Sequence, residues 1–181
     1  MIEYKYSTFT PRLCAGFLDG IIFWPVQWLS WFAHTHSSSV LLQVLIYIIN
    51  SFSFVVYSVW MHGKFGQTLG KMACKVVVLD VSERPLSMKQ AVLRDILDVI
   101  LVPVGLAVDI PRIISGVDIY APKSLTLFDD IMFYSTMGWF LVELITMLTN
   151  KKRRALHDFI AGSVVVRKDA QPPSTVGAES L

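Results

Sequence analysis

Charge is scarce in this sequence: 17% of its 181 residues are Asp, Glu, Lys or Arg, where a soluble domain carries about a quarter. The net charge of +2 is too small to point to a nucleic-acid partner. Cysteine is scarcer still. Cys14 and Cys74 lie far apart and form no CxxC pair, which excludes a disulfide framework and gives no metal-ligand spacing. Both read as small buried or interfacial apolar residues. There is no internal repeat and no division into two halves. What the chain has in excess is apolar surface, with 54% hydrophobic residues and a mean hydropathy of +0.54. That composition points to a single domain that lives in a bilayer.

Three apolar stretches reach the roughly 20 residues that a membrane helix needs. They cover 13–33, 40–60 (without a single charge) and 131–149, where Glu143 is the only interruption. A fourth, 96–114, is weaker because it holds Asp98, Asp109, Arg112 and two prolines. The first stretch is too long for a signal peptide's apolar core, is interrupted by Asp19 and Pro25, and is followed by no small-x-small site, so it reads as a retained helix. Basic residues set the orientation: 14 of the 16 fall before the first span, after the second and after the last, and that side is expected to be cytoplasmic. The same count decides the weak stretch. If 96–114 dipped in and returned, the cluster Lys151, Lys152, Arg153 and Arg154 would be exported. The expected fold is therefore an all-α integral membrane protein with about four transmembrane helices, near 12–33, 40–60, 94–114 and 128–149. Residues 1–11 form a cytoplasmic N-terminus, 12–168 the membrane domain and 169–181 a disordered tail. The β-branched runs 76–78 and 164–166 lie on one side of the membrane and are expected to pair as a small sheet.

An ionisable group inside a bilayer calls for a partner or a purpose. Arg12 and Asp19 are two helical turns apart on one face, beside Gly16 and Gly20, whose spacing suits close helix packing. Arg94, Asp98, Gly105, Asp109 and Arg112 fall along one line of the weak helix, with Arg94 and Asp98 as an i,i+4 ion pair. Helical rise places Asp19, Asp98 and Glu143 at a similar depth, with Asn50 somewhat deeper. Two readings stay open: a carboxylate cluster that exchanges protons or cations with the cytoplasm, or acids paired with Arg12 and Arg94 that lock the bundle.

Several motifs carry a resemblance. Arg12 and Asp19 open the first helix; Gly66, Thr68, Gly70 and Lys71 follow the second as Gly-Gln-Thr-Leu-Gly-Lys; then come Arg94 and the closing run with His157, Asp158 and Gly162. In this order the chain resembles the RDD family over most of residues 9–167. The resemblance implies a helical membrane protein, with Arg12, Asp19 and Asp158 as the name-giving residues. It also implies a bacterial inner-membrane location. A few relatives are linked to sodium–proton exchange and others to membrane complexes. Ser163 stands where the family commonly has Thr, and 109–130 is longer and more charged than usual. Asp158, which follows four consecutive basic residues, is expected to pair with Arg12 or with a neighbouring loop.

Other chemistry finds little footing. Gly-x-x-x-Gly-Lys is one residue short of a phosphate loop, and Met72 replaces the Ser or Thr that would hold magnesium. No nucleotide or nucleic acid is expected. His34 and His36 lack further ligands, so no metal and no other cofactor is expected. No serine sits in a nucleophile context, which argues against an enzyme. The aromatic residues Trp24, Trp28, Trp31, Phe32, Tyr134 and Trp139 fit interface belts and packing. The expected partners are the lipid bilayer, anionic lipid head groups at Lys151 to Arg154, and a second copy or another membrane protein. The functional readings are ion exchange through the buried acids, or a membrane scaffold or accessory subunit.

Overall fold

The computed structural model describes residues 2–121 and 126–170. Lys123 and residues 171–181 of the expected disordered tail lie outside them; where that tail begins, Lys168–Ala170 forms a 3-10 turn. After a short helix α1 (Ile2–Lys5), two long helices follow: α2 (Phe9–His36) and α3 (Val40–Phe65). Both outrun the expected spans, because hydrophobicity sets which residues suit a bilayer and local backbone chemistry sets where a helix stops. Ser37 leaves α2 in an extended conformation, and the Ser39 hydroxyl accepts from Leu42 N to start α3. Gly66 ends α3 at φ +67, where its N–H bonds the His62 carbonyl. A β-carbon there would lie 2.8 Å from the Val78 carbonyl oxygen, so only glycine closes this helix against the sheet.

The chain then builds a compact end piece. Helix α4 (Leu69–Ala73) leads into β1 (Val76–Asp80), and α5 (Met88–Arg94) begins with a Ser87–Gln90 capping box. Helix α8 (Leu156–Ile160) leads to β2 (Ser163–Arg167), which pairs antiparallel with β1, Val77 opposite Val166 and Val78 opposite Val165. The strands are buried on both faces. Val76, Val78 and Val165 pack with Leu86 and Ala91, while Val77, Val164 and Val166 pack with Tyr6.

Helix α6 (Ile96–Ile114) does not continue α5: the helix breaks at Asp95, so the expected single helix 94–114 is two. From there α6 runs antiparallel to α3 along its length, since Asp95 meets Ser58 at one end and Asp109 meets Tyr47 at the other. It does not turn back midway. Helix α7 (Leu127–Thr149) completes the bundle. Among the described residues, α2, α3 and α7 are the three helices long and apolar enough to cross a membrane.

Candidate functional site

Two polar knots join the helices to the end piece. The first centres on Asp158, which is fully buried. Its carboxylate accepts from Arg12 Nη2 at 2.5 Å, from the Ala155 N–H at 2.9 Å, from the Ser163 hydroxyl at 3.2 Å and from Arg94 Nη1. Burial alone would raise its pKa, but the two guanidiniums hold it well below the usual carboxylate range. Arg12 also reaches the Arg153 carbonyl at 2.8 Å. Arg94 donates to Ser163 and not to Asp98, because the break at Asp95 separates the two residues; the expected i,i+4 pair does not exist.

His157 extends this knot into the bundle. Its Nε2 faces Arg94 Nη2 at 2.8 Å and Arg12 Nη2 at 3.3 Å, while its Nδ1 meets Glu143 Oε1. Donor-only guanidiniums on one side and an acceptor carboxylate on the other select the neutral tautomer with hydrogen on Nδ1. Burial and Arg94 both lower the pKa of His157. Trp139 Nε1 donates to the same Glu143 oxygen at 2.9 Å.

The second knot centres on Asp19, 4% exposed. It accepts from the Thr68 hydroxyl at 2.6 Å, the Gly70 N–H at 2.9 Å and the Tyr57 hydroxyl at 2.9 Å. Tyr57 in turn accepts from Leu69 N at 2.7 Å. The motif Gly66 to Lys71 is thus the seat of a helix on a buried carboxylate, with Thr68 also capping α4. Gly70 supplies the close approach, since a β-carbon there would lie 2.1 Å from the Ala15 carbonyl oxygen. Gly16 and Gly20 do not supply it: a β-carbon on either would meet nothing within 4 Å. Gly162 takes φ +60 at the entry to β2 and its carbonyl accepts from Val81 N. Cys14 and Cys74, remote in sequence, are neighbours here as free thiols; burial and then Cys14 push the Cys74 thiol up.

Lys71 leaves the motif and donates its ammonium to His62 Nε2 at 2.7 Å. His62 Nδ1 faces the Ser58 hydroxyl at 3.2 Å, and Ser58 donates to Asp95 at 2.8 Å. Burial and the nearby charges of Arg94 and Arg12 push the Lys71 amine down to about 7. Tyr57, Ser58, His62 and Asp95 were missed as site residues in the sequence. Ser58 and His62, four apart on one face of α3, were the available signal.

Between the helices lie two polar cavities. One, of 390 Å³, is bordered by Asp19, Asp98 and Glu143 together with Lys71, His62 and His157. The three acids thus share one cavity. The other, of 450 Å³, lies towards the opposite end of the bundle and holds Asn50, Tyr47, Asp98, Gly105 and Asp109. Asn50 therefore stands apart from Asp19. Its amide donates to Gln27 at 3.1 Å, and its Oδ1 is the buried side-chain oxygen without a partner among the described residues. Two acids of this cavity, Asp109 and Asp129, pair with Arg112 at 2.8 and 3.1 Å. Asp98, with Phe54 and Thr136, belongs to the walls of both cavities. Among the described residues no donor or cation meets the Asp98 carboxylate.

The family model described as the RDD family matches residues 6–162, and the chain belongs to that family. Neither the curated proteins nor the solved structures contain a match.

Proposed function

We propose that this RDD family chain moves a proton or a small cation across a membrane, with Asp98 as the exchanging carboxylate. One observation carries the reading: among the described residues no hydrogen-bond donor meets the Asp98 carboxylate, and Asp98 stands in the wall shared by two cavities. An ionisable group at membrane depth calls for a partner or a purpose. Donors meet Asp19 and Glu143, while Asp98, in the first turn of α6, meets none among the described residues. The unpartnered Asn50 Oδ1 offers a neutral oxygen in the second cavity, a ligand suited to a hard cation. In this reading α6 is the fourth span and the basic end of the bundle faces the cytoplasm, as the distribution of Lys and Arg favours.

The test is flux in inverted vesicles at matched expression. Sodium- or lithium-driven proton movement is expected from the parent chain and from Asp19→Asn protein that folds, and is expected to vanish in Asp98→Asn. Flux that survives in Asp98→Asn refutes the assignment. A second reading, a membrane-embedded scaffold or accessory subunit, draws on the saturation of Arg12, Asp19 and Asp158, whose contacts with each other and with Thr68 and Gly70 tie the end piece to the helices. No flux from any variant in vesicles shown to be tight would favour it.

A further inference from the structure

A third cavity, of 620 Å³, has a chemistry opposite to the other two. It opens where α7 ends, between the Leu148 side chain, the segment at Tyr6 and Ser7, and the turn carrying Lys151 and Arg153. No acid borders it among the described residues. Tyr6, Thr149 and Asn150 spend their polar groups within the protein, and three other residues leave donors open. Lys151 is exposed and makes no ion pair, and the Ser7 hydroxyl makes no hydrogen bond, among the described residues. Of the Arg153 guanidinium only Nη1 is engaged, donating to the Leu148 carbonyl at 3.0 Å.

The backbone fixes where these donors point. Arg153 takes φ +50, its N–H bonds the Asn150 carbonyl and its own carbonyl is held by Arg12. The cavity's level follows from α7. The apolar helix stops at Thr149 and the basic residues begin at Lys151, so a bilayer spanned by α7 would place its head groups here. Below the donors the wall continues as exposed Leu148 and Ile145, an apolar surface for the start of an acyl chain. Beside them the Lys152 ammonium lies over the Tyr6 ring, 5.8 Å from its centre, an aromatic–basic pair typical of the interface.

We propose that this cavity binds the phosphate-bearing head group of an anionic membrane phospholipid, with Lys151, Arg153 and Ser7 as donors to the phosphate and Leu148 against the chain. A phosphate oxygen accepts from all three donor types, and the neighbouring apolar wall favours a lipid over free phosphate.

The experiment measures lipid retained by the full-length purified chain after incorporation into bilayers of mixed phosphatidylglycerol and phosphatidylcholine. Retention of phosphatidylglycerol over phosphatidylcholine is expected, and to fall about fivefold for each cation removed in Lys151→Gln and Arg153→Gln. Lys151→Arg should retain lipid like the parent, which separates charge from fold. Lys89→Gln, the same charge change on α5, should leave retention unchanged. Equal losses in Lys89→Gln and Lys151→Gln would reduce the effect to overall charge and overturn the site. Excess inorganic phosphate is expected to leave the lipid bound. Displacement of the lipid by phosphate, with phosphate bound to lipid-free protein, would overturn the lipid assignment in favour of a free anion.

Discussion

The end piece and the helical shaft solve the problem of polar groups in opposite ways. In the end piece Asp158, Arg94, Ser163 and Thr68 are all buried and all engaged, around valines with essentially no exposed surface. Along the shaft the apolar side chains face outward, as at Phe17, Trp24, Leu41 and Leu127, each 70–75% exposed. On the shaft helices the exposed Asp98 and the buried Asn50 keep unused hydrogen-bonding capacity next to cavities. The first region is organised as a water-soluble core, closed by hydrophobic burial and complete pairing. The second relies on lipid for its outer surface and leaves polar space within. The fullest pairing of charges, around Asp158, thus lies in the end piece, while among the described residues the Asn50 oxygen and the Asp98 carboxylate without donors lie on the shaft helices.

The strongest way to break this comparison is to remove the centre of the first knot. Asp158→Ala leaves Arg12 and Arg94 buried with no carboxylate between them. Breaking a buried pair in this way costs about 3–5 kcal/mol. The expected outcome is a large drop in thermal midpoint in detergent, with loss of the native elution profile, and a smaller drop for Asp98→Asn in the shaft. Equal midpoints for the two variants would show that the end piece is not where stability resides.

The next effect is one of protonation. With Lys71 near 7 in the folded chain and an ordinary lysine amine near 10.5, the unfolded chain binds the extra proton between those values. The contribution of Lys71 to unfolding free energy therefore rises with pH from about 7 to 10.5 and is at its lowest below 7. The measurement is competitive acetylation across pH, read residue by residue. Lys71 should reach half of its full reactivity near pH 7, and Arg94→Gln should move that point upward, since the guanidinium is among the charges that depress it. A Lys71 that reacts only at strongly alkaline pH would remove the amine from the cavity's chemistry.

Much of this division was legible in the sequence, for identifiable reasons. Long apolar runs announced α2, α3 and α7, and the β-branched runs announced the strand pair, though not its register of Val77 opposite Val166. The pairing of Arg12 with Asp158 followed from one basic and one acidic residue at the same end of the bundle. The break at Asp95 was hidden because neither proline nor glycine marks it; Arg94 turns away from α6 to reach Asp158, a tertiary demand with no local signal. The partners of Asp19 were hidden for a related reason. Two of its donors, the Thr68 hydroxyl and the Gly70 N–H, come from one loop some fifty positions away, and a backbone N–H leaves no trace in residue type. Cys14 and Cys74 meet because α4 folds back on α2, which sequence separation alone concealed.

The smallest effects distinguish glycines that look alike in sequence. Gly16 and Gly20 flank Asp19 in sequence, Gly70 meets it only in space, and spacing singled out the first two as the packing pair. Geometry reverses this. At Gly70 a β-carbon would lie 2.1 Å from the Ala15 carbonyl oxygen and 2.9 Å from the Asp19 carboxyl carbon, so α4 must lift off α2 to accommodate it. Overpacking of this kind costs about 1–3 kcal/mol, and here the displacement would also pull the Gly70 N–H and the Thr68 hydroxyl from Asp19. Gly70→Ala is thus expected to lower the thermal midpoint clearly. Gly16→Ala and Gly20→Ala meet open space and sit in a helix that prefers alanine by up to about 1 kcal/mol, so their midpoints should stay level or rise slightly. Thermal scans of the three variants in one detergent decide the matter. A loss at Gly16 or Gly20 as large as at Gly70 would mean that another surface, from a second copy or a partner helix, closes on α2 there.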